Sequence, residues 1–299
     1  MTNKPHQNIV LGIDIGGSHI SAALVDINSC EIVEGSFVRS RVNSAGTAHE
    51  ILDSWQEAIN TCAAIGGNNG YKVALAMPGP FDYENGISLI RNLHKYESLY
   101  GMDIRQALSE QLNIPPTEIL FRNDAEAFLA GEINANNYPK DVKTLGITLG
   151  TGLGSALSEN GITKDANFAM LQFIGDIAEE FLSTRWFTSR FCSLTGENVK
   201  DVKEVLATTR YAKEIEQLFE EFTQNLSAFL HEIMVKENYH ALIIGGNISK
   251  AAERFLPKLS MLLRQSNRNL AIHLANLGEA SAIIGAALLF SSSKTTTRP

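Results

Sequence analysis

Two stretches far apart in the sequence share one pattern: an apolar strand, a glycine-rich turn that carries a hydroxyl, and a second strand. The first turn is Asp14–Ser18 and the second is Gly150–Gly154. Glycine lets backbone N–H groups approach a bulky anion and permits a positive φ, which we expect in both turns. The pattern predicts two β-hairpins whose turns hold the phosphates of a nucleotide from both sides. The flanking strands are predicted at Ile9–Asp14, Ser21–Asp26, Thr144–Leu149 and Ser155–Leu157.

The composition indicates a globular protein with an acidic surface. Of 299 residues, 44% are hydrophobic and 19% are charged, and the formal net charge is −8. This charge argues against a broad nucleic-acid surface, which would need clustered Lys and Arg. The apolar run Ala280–Phe290 is too short to span a bilayer, and no basic leader with a hydrophobic stretch opens the chain. We therefore expect a cytoplasmic protein with neither a nucleic-acid nor a membrane partner.

The cysteines and histidines give no sign of a disulfide framework or a transition-metal site. Cys30, Cys62 and Cys192 are an odd number and lie far apart in the sequence. The seven histidines show no paired spacing. We expect reduced cysteines with structural roles.

Strand and helix patterns alternate along the chain, which is typical of an α/β protein. Apolar residues at helical spacing, among them Ile51, Trp55 and Ile59, predict a helix over Ala48–Ala64. The Asn160–Gly161 pair predicts a further hairpin turn. Other strands are predicted at Glu31–Arg41, Lys72–Met77, Glu118–Phe121 and Ala241–Ile244, and other helices at Ala125–Asn134, within Ile177–Phe191, at Lys213–Lys236 and at Ala280–Phe290.

The chain is long enough for two lobes that each bury a core. We predict an N-terminal α/β lobe over residues 1–121 and a C-terminal α/β lobe over residues 122–279. Residues 280–299 are predicted to form a helix that packs back on the first lobe, followed by a disordered tail from Ser291. Because no long linker separates the lobes, we expect a hinge between two packed lobes.

Asn123 and Asp124 directly follow a predicted strand and precede a predicted helix, which places them at the carboxyl end of a sheet. The Asp124 carboxylate is ionised at neutral pH and could accept a proton from an alcohol. The alternative is that Asp124 only caps the helix. A phosphate site that faces this carboxylate would make phosphoryl transfer to a hydroxyl a coherent reaction.

Two other nucleotide-binding patterns are disfavoured. The run Gly150–Gly154 is superficially like a dinucleotide fingerprint, but the chain continues as a strand and the region around Met170 offers no acid on a strand end. The P-loop pattern G-x-x-x-x-G-K-[ST] does not occur in the sequence.

A set of motifs in a fixed order resembles the ROK family of repressors, open-reading-frame proteins and sugar kinases, within the actin-like ATPase superfamily. The resemblance covers nearly the whole chain. It implies a ribonuclease-H-like α/β fold in two lobes with a central cleft, ATP with Mg²⁺ in that cleft, and a sugar hydroxyl as phosphoryl acceptor. The motifs are Leu11–Ser18, Met77–Pro80, Arg122–Ala125, Thr148–Gly154, Ile244–Asn247 and Gly278–Ala287.

The resemblance also implies roles for single residues. Asp124 matches the position of the family's catalytic base, and Asn123 matches a residue that binds the sugar hydroxyls. Gly79 is also expected to bind the substrate. Asp14 is expected to hold Mg²⁺, directly or through water, and Ser18 keeps the hydroxyl of the usual Thr. The first phosphate motif comprises Asp14, Gly16, Gly17 and Ser18, the second comprises Gly150, Thr151 and Gly152, and the adenosine region contains Gly245 and Gly246.

The chain departs from the family in its zinc-binding segment. The zinc-binding cysteines are missing, so we expect no zinc site. Asn167 stands where the family has a Glu, and Met170 where it has a His. Asn can still hydrogen-bond a sugar hydroxyl, whereas Met cannot donate as His does. Glu179 matches a later family acid and is the expected second sugar ligand. The alternatives are plain packing for Met170 and a solvated helix position for Glu179.

The leading hypothesis is an ATP-dependent, glucokinase-like hexose kinase in which Asp124 deprotonates the hydroxyl that attacks the γ-phosphate. The residues Asn167 and Met170 leave open a degenerate member that binds sugar or nucleotide without turnover. A repressor would need a DNA-reading domain before the first hairpin, where we find only Met1–Asn8. A filament-forming actin relative would lack the Asn123–Asp124 acceptor site. The family resemblance implies a homodimer, with glucose as the default acceptor ahead of N-acetylated hexosamines and mannose.

Overall fold

Two units make up the part of the chain that the computed structural model describes, which is residues 8–67 and 71–291. The first unit contains the described residues up to Tyr138 and those from Glu279 onward, and the second is Pro139–Gly278. This division differs from the predicted boundary after residue 121, because the helix that follows Asn123 belongs to the first unit. The predicted disordered tail lies outside the described residues from position 292 onward.

The first unit contains strands and helices in alternation. The last residue of this unit that the structure describes is Ser291. Its elements up to Tyr138 are β1 (Ile9–Ile15), β2 (His19–Asp26), β3 (Glu31–Ile32), β4 (Val38–Arg41), α1 (Ala48–Ile65), β5 (Lys72–Met77), β6 (Phe81–Asp82), β7 (Ile87–Ser88), α2 (Ile104–Leu112), β8 (Ile119–Asn123) and α3 (Asp124–Ala135), with 3₁₀ turns at Glu97–Leu99 and Pro116–Glu118.

The second unit follows the same alternation with a larger helical share. Its elements are β9 (Thr144–Leu149), β10 (Leu153–Glu159), β11 (Ile162–Asp165), β12 (Gln172–Phe173), β13 (Asp176–Ile177), α4 (Thr184–Thr195), α5 (Val202–Ala207), α6 (Ala212–Glu237), β14 (Ala241–Gly245), α7 (Leu256–Ser266) and β15 (Ala271–Leu274), with 3₁₀ segments at Phe168–Met170, Ala178–Glu180 and Asn247–Arg254. The chain then returns to the first unit with α8 (Ala280–Ala287) and a 3₁₀ turn at Leu288–Phe290.

The main sheet of the first unit is ordered β3-β2-β1-β5-β8 within the described residues, and β4 also pairs with β2. The pair β1 and β2 is antiparallel and forms the predicted glycine hairpin, with Ile15 opposite Ile20. Strands β1, β5 and β8 are parallel neighbours. The carboxyl ends of these three strands therefore lie at one edge of the sheet.

The predicted single strand Glu31–Arg41 is wrong, because the chain forms two short strands there. Between β3 and β4 the Ser36 hydroxyl donates to the Val33 carbonyl at 2.7 Å and accepts from the Leu24 N–H at 3.1 Å. The buried Ser36 thus ties the loop to β2 and interrupts the strand. Helix α1, in contrast, lies close to its predicted bounds and starts at a capping box formed by Thr47 and Glu50.

The second unit has a sheet ordered β11-β10-β9-β14-β15 within the described residues. The predicted turn at Asn160–Gly161 is confirmed: both residues have positive φ, and Glu159 pairs with Ile162. The helix predicted within Ile177–Phe191 begins only at Thr184, because a 3₁₀ turn at Ala178–Glu180 comes first. Aromatic side chains fill the core beside the sheet, among them Phe187, Phe191, Phe222 and Phe255.

Helix α8 touches the backbone of α3 and β1 because three glycines remove the side chains that would separate them. A Cβ at Gly12 would overlap the Ile283 carbonyl oxygen, one at Gly131 would overlap that of Ser281, and one at Gly285 would overlap that of Ala127. The buried Ser281 hydroxyl also donates to the Glu132 carboxylate at 2.6 Å. This backbone contact is why α3 belongs to the first unit.

All three cysteines are free, and burial raises the pKa of the Cys62 thiol to about 11. Over residues 8–67 and 71–291, no helix combines the length and the apolar character that crossing a bilayer requires.

We expect Gly285→Ala to destabilise the protein. Ala favours helix over Gly by roughly 1 kcal/mol, but the new methyl would lie 2.6 Å from the Ala127 carbonyl carbon, and backbone cannot move aside as a side chain can. We predict a fall in the free energy of unfolding of about 1–3 kcal/mol, measured by denaturant titration. Gly17→Ala is the control, since a Cβ at Gly17 meets no atom within 4 Å. Equal stability of the two variants would contradict this close packing.

Candidate active site

The carboxyl ends of β1, β5 and β8 bring three predicted site segments to one edge of the first unit's sheet. Asp14 pairs with Ala76, and Ala76 pairs with Arg122 on the next strand. The segment that holds Gly79 follows β5, and Asn123 and Asp124 follow Arg122. The predicted placement of Asn123 and Asp124 at the carboxyl end of a strand is therefore confirmed.

Asp14 is a half-buried carboxyl whose pKa is raised to about 7. Burial is the main cause, repulsion from the Asp124 carboxylate adds to it, and the Arg39 guanidinium opposes it. The Asp124 carboxylate is therefore near enough to Asp14 to disfavour its ionisation. Two carboxylates in this relation are a setting in which a divalent cation offsets the repulsion.

This carboxylate pair fits Mg²⁺ better than a metal that needs an all-protein cage. Across the described ranges, no three His, Cys, Asp or Glu side chains group in a way that could hold a metal ion. Mg²⁺ is commonly bound by one or two carboxylates that are completed by substrate phosphates and water. Asp14, with Asp124 beside it, meets that requirement.

The first glycine turn is closed by backbone and phenol hydrogen bonds. The Gly16 N–H donates to the His19 carbonyl at 2.9 Å, and the buried Tyr96 hydroxyl donates to the Gly16 carbonyl at 2.6 Å. Gly17 and Ser18 are exposed, and the Ser18 Oγ lies 2.8 Å from Nδ1 of His19. The turn is therefore rigid at its base and open at its tip.

The expected positive φ is wrong for the glycines of both phosphate motifs, namely Gly16, Gly17, Gly150 and Gly152. Hydrogen bonds close each turn without it, as between the Gly150 N–H and the Gly152 carbonyl at 3.0 Å. Glycine instead leaves space beside the turn. A Cβ at Gly17 or Gly150 would point into open space, which is large enough for part of a ligand.

Asn123, and not Asp124, is the N-cap of α3, so the alternative that Asp124 caps the helix is wrong. The Asn123 Oδ1 accepts from the N–H groups of Ala125 and Glu126 at 2.9 and 3.1 Å. Asp124 is the first helical residue, and its Oδ1 also accepts from Ala125. Asp124 is half-buried at the start of α3.

Tyr83 links Asn123 to the end of β5, a role that the sequence analysis missed. The Asn123 Nδ2 donates to the Tyr83 hydroxyl at 3.1 Å, which in turn donates to the Met77 carbonyl at 3.1 Å. A Cβ at Gly79 would lie 3.4 Å from the same hydroxyl. Gly79 and Asn123, both predicted to bind substrate, thus share one phenol as their neighbour.

A charged row beside Asp14 was also missed. Ser21 lies opposite Asp14, and Arg39 lies opposite Ser21, so the three side chains share one face of the sheet. Glu279, just before α8, forms an ion pair with Arg39 and accepts from the Ser21 hydroxyl at 3.0 Å. Only the tertiary fold brings Glu279 to this row.

In the second unit, the turn between β9 and β10 holds the second phosphate motif. The Gly150 carbonyl accepts from both the N–H and the hydroxyl of Thr184, each at 2.8 Å. The Leu153 N–H donates to the Glu179 Oε2 at 3.0 Å. Thr151, at the tip of the turn, is exposed.

The predicted sugar ligands of the second unit have different surroundings. Asn167 is exposed and has a left-handed backbone conformation. Its backbone N–H donates to the Asp165 carboxylate. Met170 is 59% exposed, so plain packing does not explain it. Glu179 lies in a 3₁₀ turn with both carboxylate oxygens bonded, to Leu153 and Arg185, so the solvated-helix alternative is wrong. The roles of Asn167 and Glu179 in sugar binding stay predictions.

Gly245 and Gly246, at the end of β14, form a close backbone approach. Gly245 pairs with Thr148 of β9. Gly246 has a φ of 86°, and a Cβ there would overlap the backbone of Leu149. Gly246 is therefore a position that requires glycine for both conformation and space. Its role in binding adenosine stays a prediction.

We expect the raised pKa of Asp14 to reduce stability as the pH rises. An unfolded Asp has a pKa near 3.9, so between about pH 4 and 7 the folded protein binds more protons than the unfolded chain. The free energy of unfolding of the wild type, relative to Asp14→Asn, should therefore fall across this range and level off above it. Denaturant titrations at several pH values, with EDTA and without nucleotide, measure the difference. Parallel pH curves would contradict the raised pKa.

Known proteins similar to this chain include sugar kinases. N-acetyl-D-glucosamine kinase of Pectobacterium carotovorum subsp. carotovorum (strain PC1) is 25% identical over 307 residues, which cover 93% of this chain and 97% of the relative. Polyphosphate glucokinase of Mycobacterium leprae (strain TN) is 26% identical over 279 residues, which cover 93% of this chain and 73% of the relative.

The fold is shared with solved structures. A ROK family glucokinase from Streptomyces griseus, crystallised with glucose and AMPPNP, matches with a TM-score of 0.76 at 20% identity, over 94% of this chain and 98% of that one. This likeness confirms the predicted α/β fold of the actin-like ATPase class. The ROK family sequence model matches residues 10–170, which is more than half of the 299 residues, and the chain therefore belongs to the ROK family.

Proposed function

We propose that this chain is an ATP-dependent kinase that transfers the γ-phosphate to a hydroxyl of a hexose, with Asp124 as the general base. The observation that carries the proposal is the placement of Asp14, Asn123 and Asp124 at the carboxyl ends of neighbouring parallel strands, where the Asp124 charge helps to raise the pKa of Asp14. Two neighbouring carboxylates disfavour each other's ionisation, and such a pair suits both cation binding and proton transfer. Sugar kinases that align with 93% of the chain support the same reaction class.

On the acceptor side, Asp124 takes the proton of the attacking hydroxyl. The Ala125 N–H donates to its Oδ1 at 2.8 Å, which restrains the orientation of the carboxylate. The Asn123 side chain is held in place by its hydrogen bonds to the Ala125 N–H and to the Tyr83 hydroxyl. A positioned base of this kind contributes roughly 10²–10⁴-fold to the rate.

On the donor side, ATP would supply the phosphoryl group, and Mg²⁺ would neutralise the charge that develops during transfer. Asp14 holds the cation, directly or through water. The open space at Gly17 and Gly150 leaves room for phosphate oxygens to reach backbone N–H groups. The exposed hydroxyls of Ser18 and Thr151 lie in the same two turns. Gly245 and Gly246 bind the adenosine.

The acceptor is a hexose or an N-acetylated hexosamine. Polar side chains recognise its hydroxyls and, in the hexosamine, its amide. The relatives are named for N-acetyl-D-glucosamine and for glucose, so these two sugars and mannose form the first panel. Asn167 offers both a donor and an acceptor to such a ligand. Because the Mycobacterium leprae relative is a polyphosphate glucokinase, polyphosphate is included as an alternative donor.

We expect Asp124→Asn to lower kcat at least about 10²-fold, because the amide cannot accept the hydroxyl proton. A coupled ADP-release assay over the sugar panel measures kcat. Calorimetry with AMPPNP and with each sugar should give dissociation constants within about threefold of the wild type, since the substitution keeps size and shape. Asp141→Asn, an exposed loop position, is the matched control and should keep full activity.

Two outcomes would contradict the proposal. Equal turnover by the wild type and Asp124→Asn would remove Asp124 as the base. Binding of sugar and AMPPNP by the wild type without phosphorylation of any sugar, with ATP or polyphosphate, would identify a degenerate ROK protein instead.

A further inference from the structure

Glu179 rests against the backbone of the second glycine turn. Its Oε2 accepts the Leu153 N–H at 3.0 Å, and a Cβ added to Gly152 would overlap the same oxygen. The carboxylate therefore occupies the space beside Gly152 that any other residue there would fill. Its side chain is 28% exposed, so most of its surface faces protein.

The same short segment holds the other end of the turn. Thr184 begins α4, five residues after Glu179 in the sequence, and its N–H and hydroxyl both donate to the Gly150 carbonyl at 2.8 Å. One segment thus bonds the carbonyl at the start of the turn and the amide at its end. A turn held at both ends keeps its remaining N–H groups in fixed directions, which is what anion binding by backbone requires.

Arg185 fixes and neutralises the Glu179 carboxylate. Its Nη2 donates to the Glu179 Oε1 at 3.1 Å, and its Nη1 lies 3.2 Å from the Glu180 Oε1. A bare carboxylate beside a phosphate-binding turn would repel the phosphate, and the guanidinium offsets that repulsion. With Leu153 on one oxygen and Arg185 on the other, the carboxylate is held against the turn.

We propose that Glu179 is a positioning residue for the Gly150–Leu153 turn, and that Arg185 keeps its carboxylate in that place. This role differs from the sugar-ligand role that the family resemblance implies. The inference deepens the proposed function, because it rests on the turn being a nucleotide-phosphate site.

The test compares Glu179→Ala with Glu179→Gln and with Glu180→Ala. Glu180 is the neighbouring acid and pairs with Arg185, but it carries no bond to the turn in the described contacts, so Glu180→Ala is the matched control. Calorimetry measures the dissociation constants of AMPPNP with Mg²⁺, of glucose and of N-acetylglucosamine for every variant. Circular dichroism and thermal unfolding check that each variant is folded.

Glu179→Ala should weaken AMPPNP binding by about tenfold, the scale of one lost charge-assisted hydrogen bond, and change sugar binding less than twofold. Glu179→Gln keeps an oxygen for the Leu153 N–H and should lie within about threefold of the wild type, as should Glu180→Ala. The opposite pattern, with sugar binding weakened about tenfold in both Glu179 variants and AMPPNP unchanged, would overturn the proposal.

A second measurement separates this inference from the proposed function. Amide hydrogen exchange at Leu153, in protein without nucleotide, should be faster in Glu179→Ala than in the wild type and unchanged in Glu180→Ala. If the wild type binds no AMPPNP, the proposed function fails, and the exchange rate alone decides the positioning role. Unchanged exchange at Leu153 in Glu179→Ala would refute that role.

Discussion

The contact between the backbones of α8, α3 and β1 is the constraint on which the first unit depends. At Gly12, Gly131 and Gly285 the carbonyl oxygens of facing segments occupy the positions that a Cβ would take. Packed backbone cannot adjust as flexible side chains do, so the three elements have a fixed spacing. Because β1 carries Asp14 near its end and α3 begins at Asp124, this packing also sets how closely the two carboxylates approach.

The burial of Asp14, with Asp124 nearby, lowers the stability of the fold at neutral pH. Burial and the neighbouring Asp124 raise the pKa of Asp14 to about 7, so the fold holds an ionisable group where its charged form is disfavoured. Strong perturbation of this kind is concentrated at functional sites, although structural ion pairs also cause it. Arg39 supplies part of the compensation, because its charge lowers the pKa of Asp14, and its ion pair with Glu279, just before α8, holds it in place.

The sequence predicts best those elements whose signals are local. Strands β5 and β9 have their predicted bounds because apolar runs there end at proline or glycine. The split between β3 and β4 depends on Ser36 bonding Leu24, a contact that exists only after folding. The boundary after Tyr138 depends on α3 packing against a helix about 150 residues later. The roles of Tyr83 and Tyr96 could not be predicted for the same reason. The Tyr96 hydroxyl bonds the Gly16 carbonyl, which is distant in sequence, and the Tyr83 hydroxyl bonds the Met77 carbonyl across a loop.

The two glycine turns look alike in sequence, and the structure gives them a common support made from different residues. In each turn the carbonyl of one glycine accepts a side-chain hydroxyl: Gly16 from Tyr96, and Gly150 from Thr184. In a planar trans peptide the C=O and the following N–H point in opposite directions. Fixing these carbonyls therefore aims the N–H groups of Gly17 and Thr151 away from the supporting hydroxyls. Both N–H groups belong to exposed residues at a turn tip, so the hydroxyls fix the direction of exposed donors in each unit, as the predicted phosphate binding requires. The sequence predicts phosphate binding from the glycines of the turns, but the residues that orient the turns lie elsewhere in the chain.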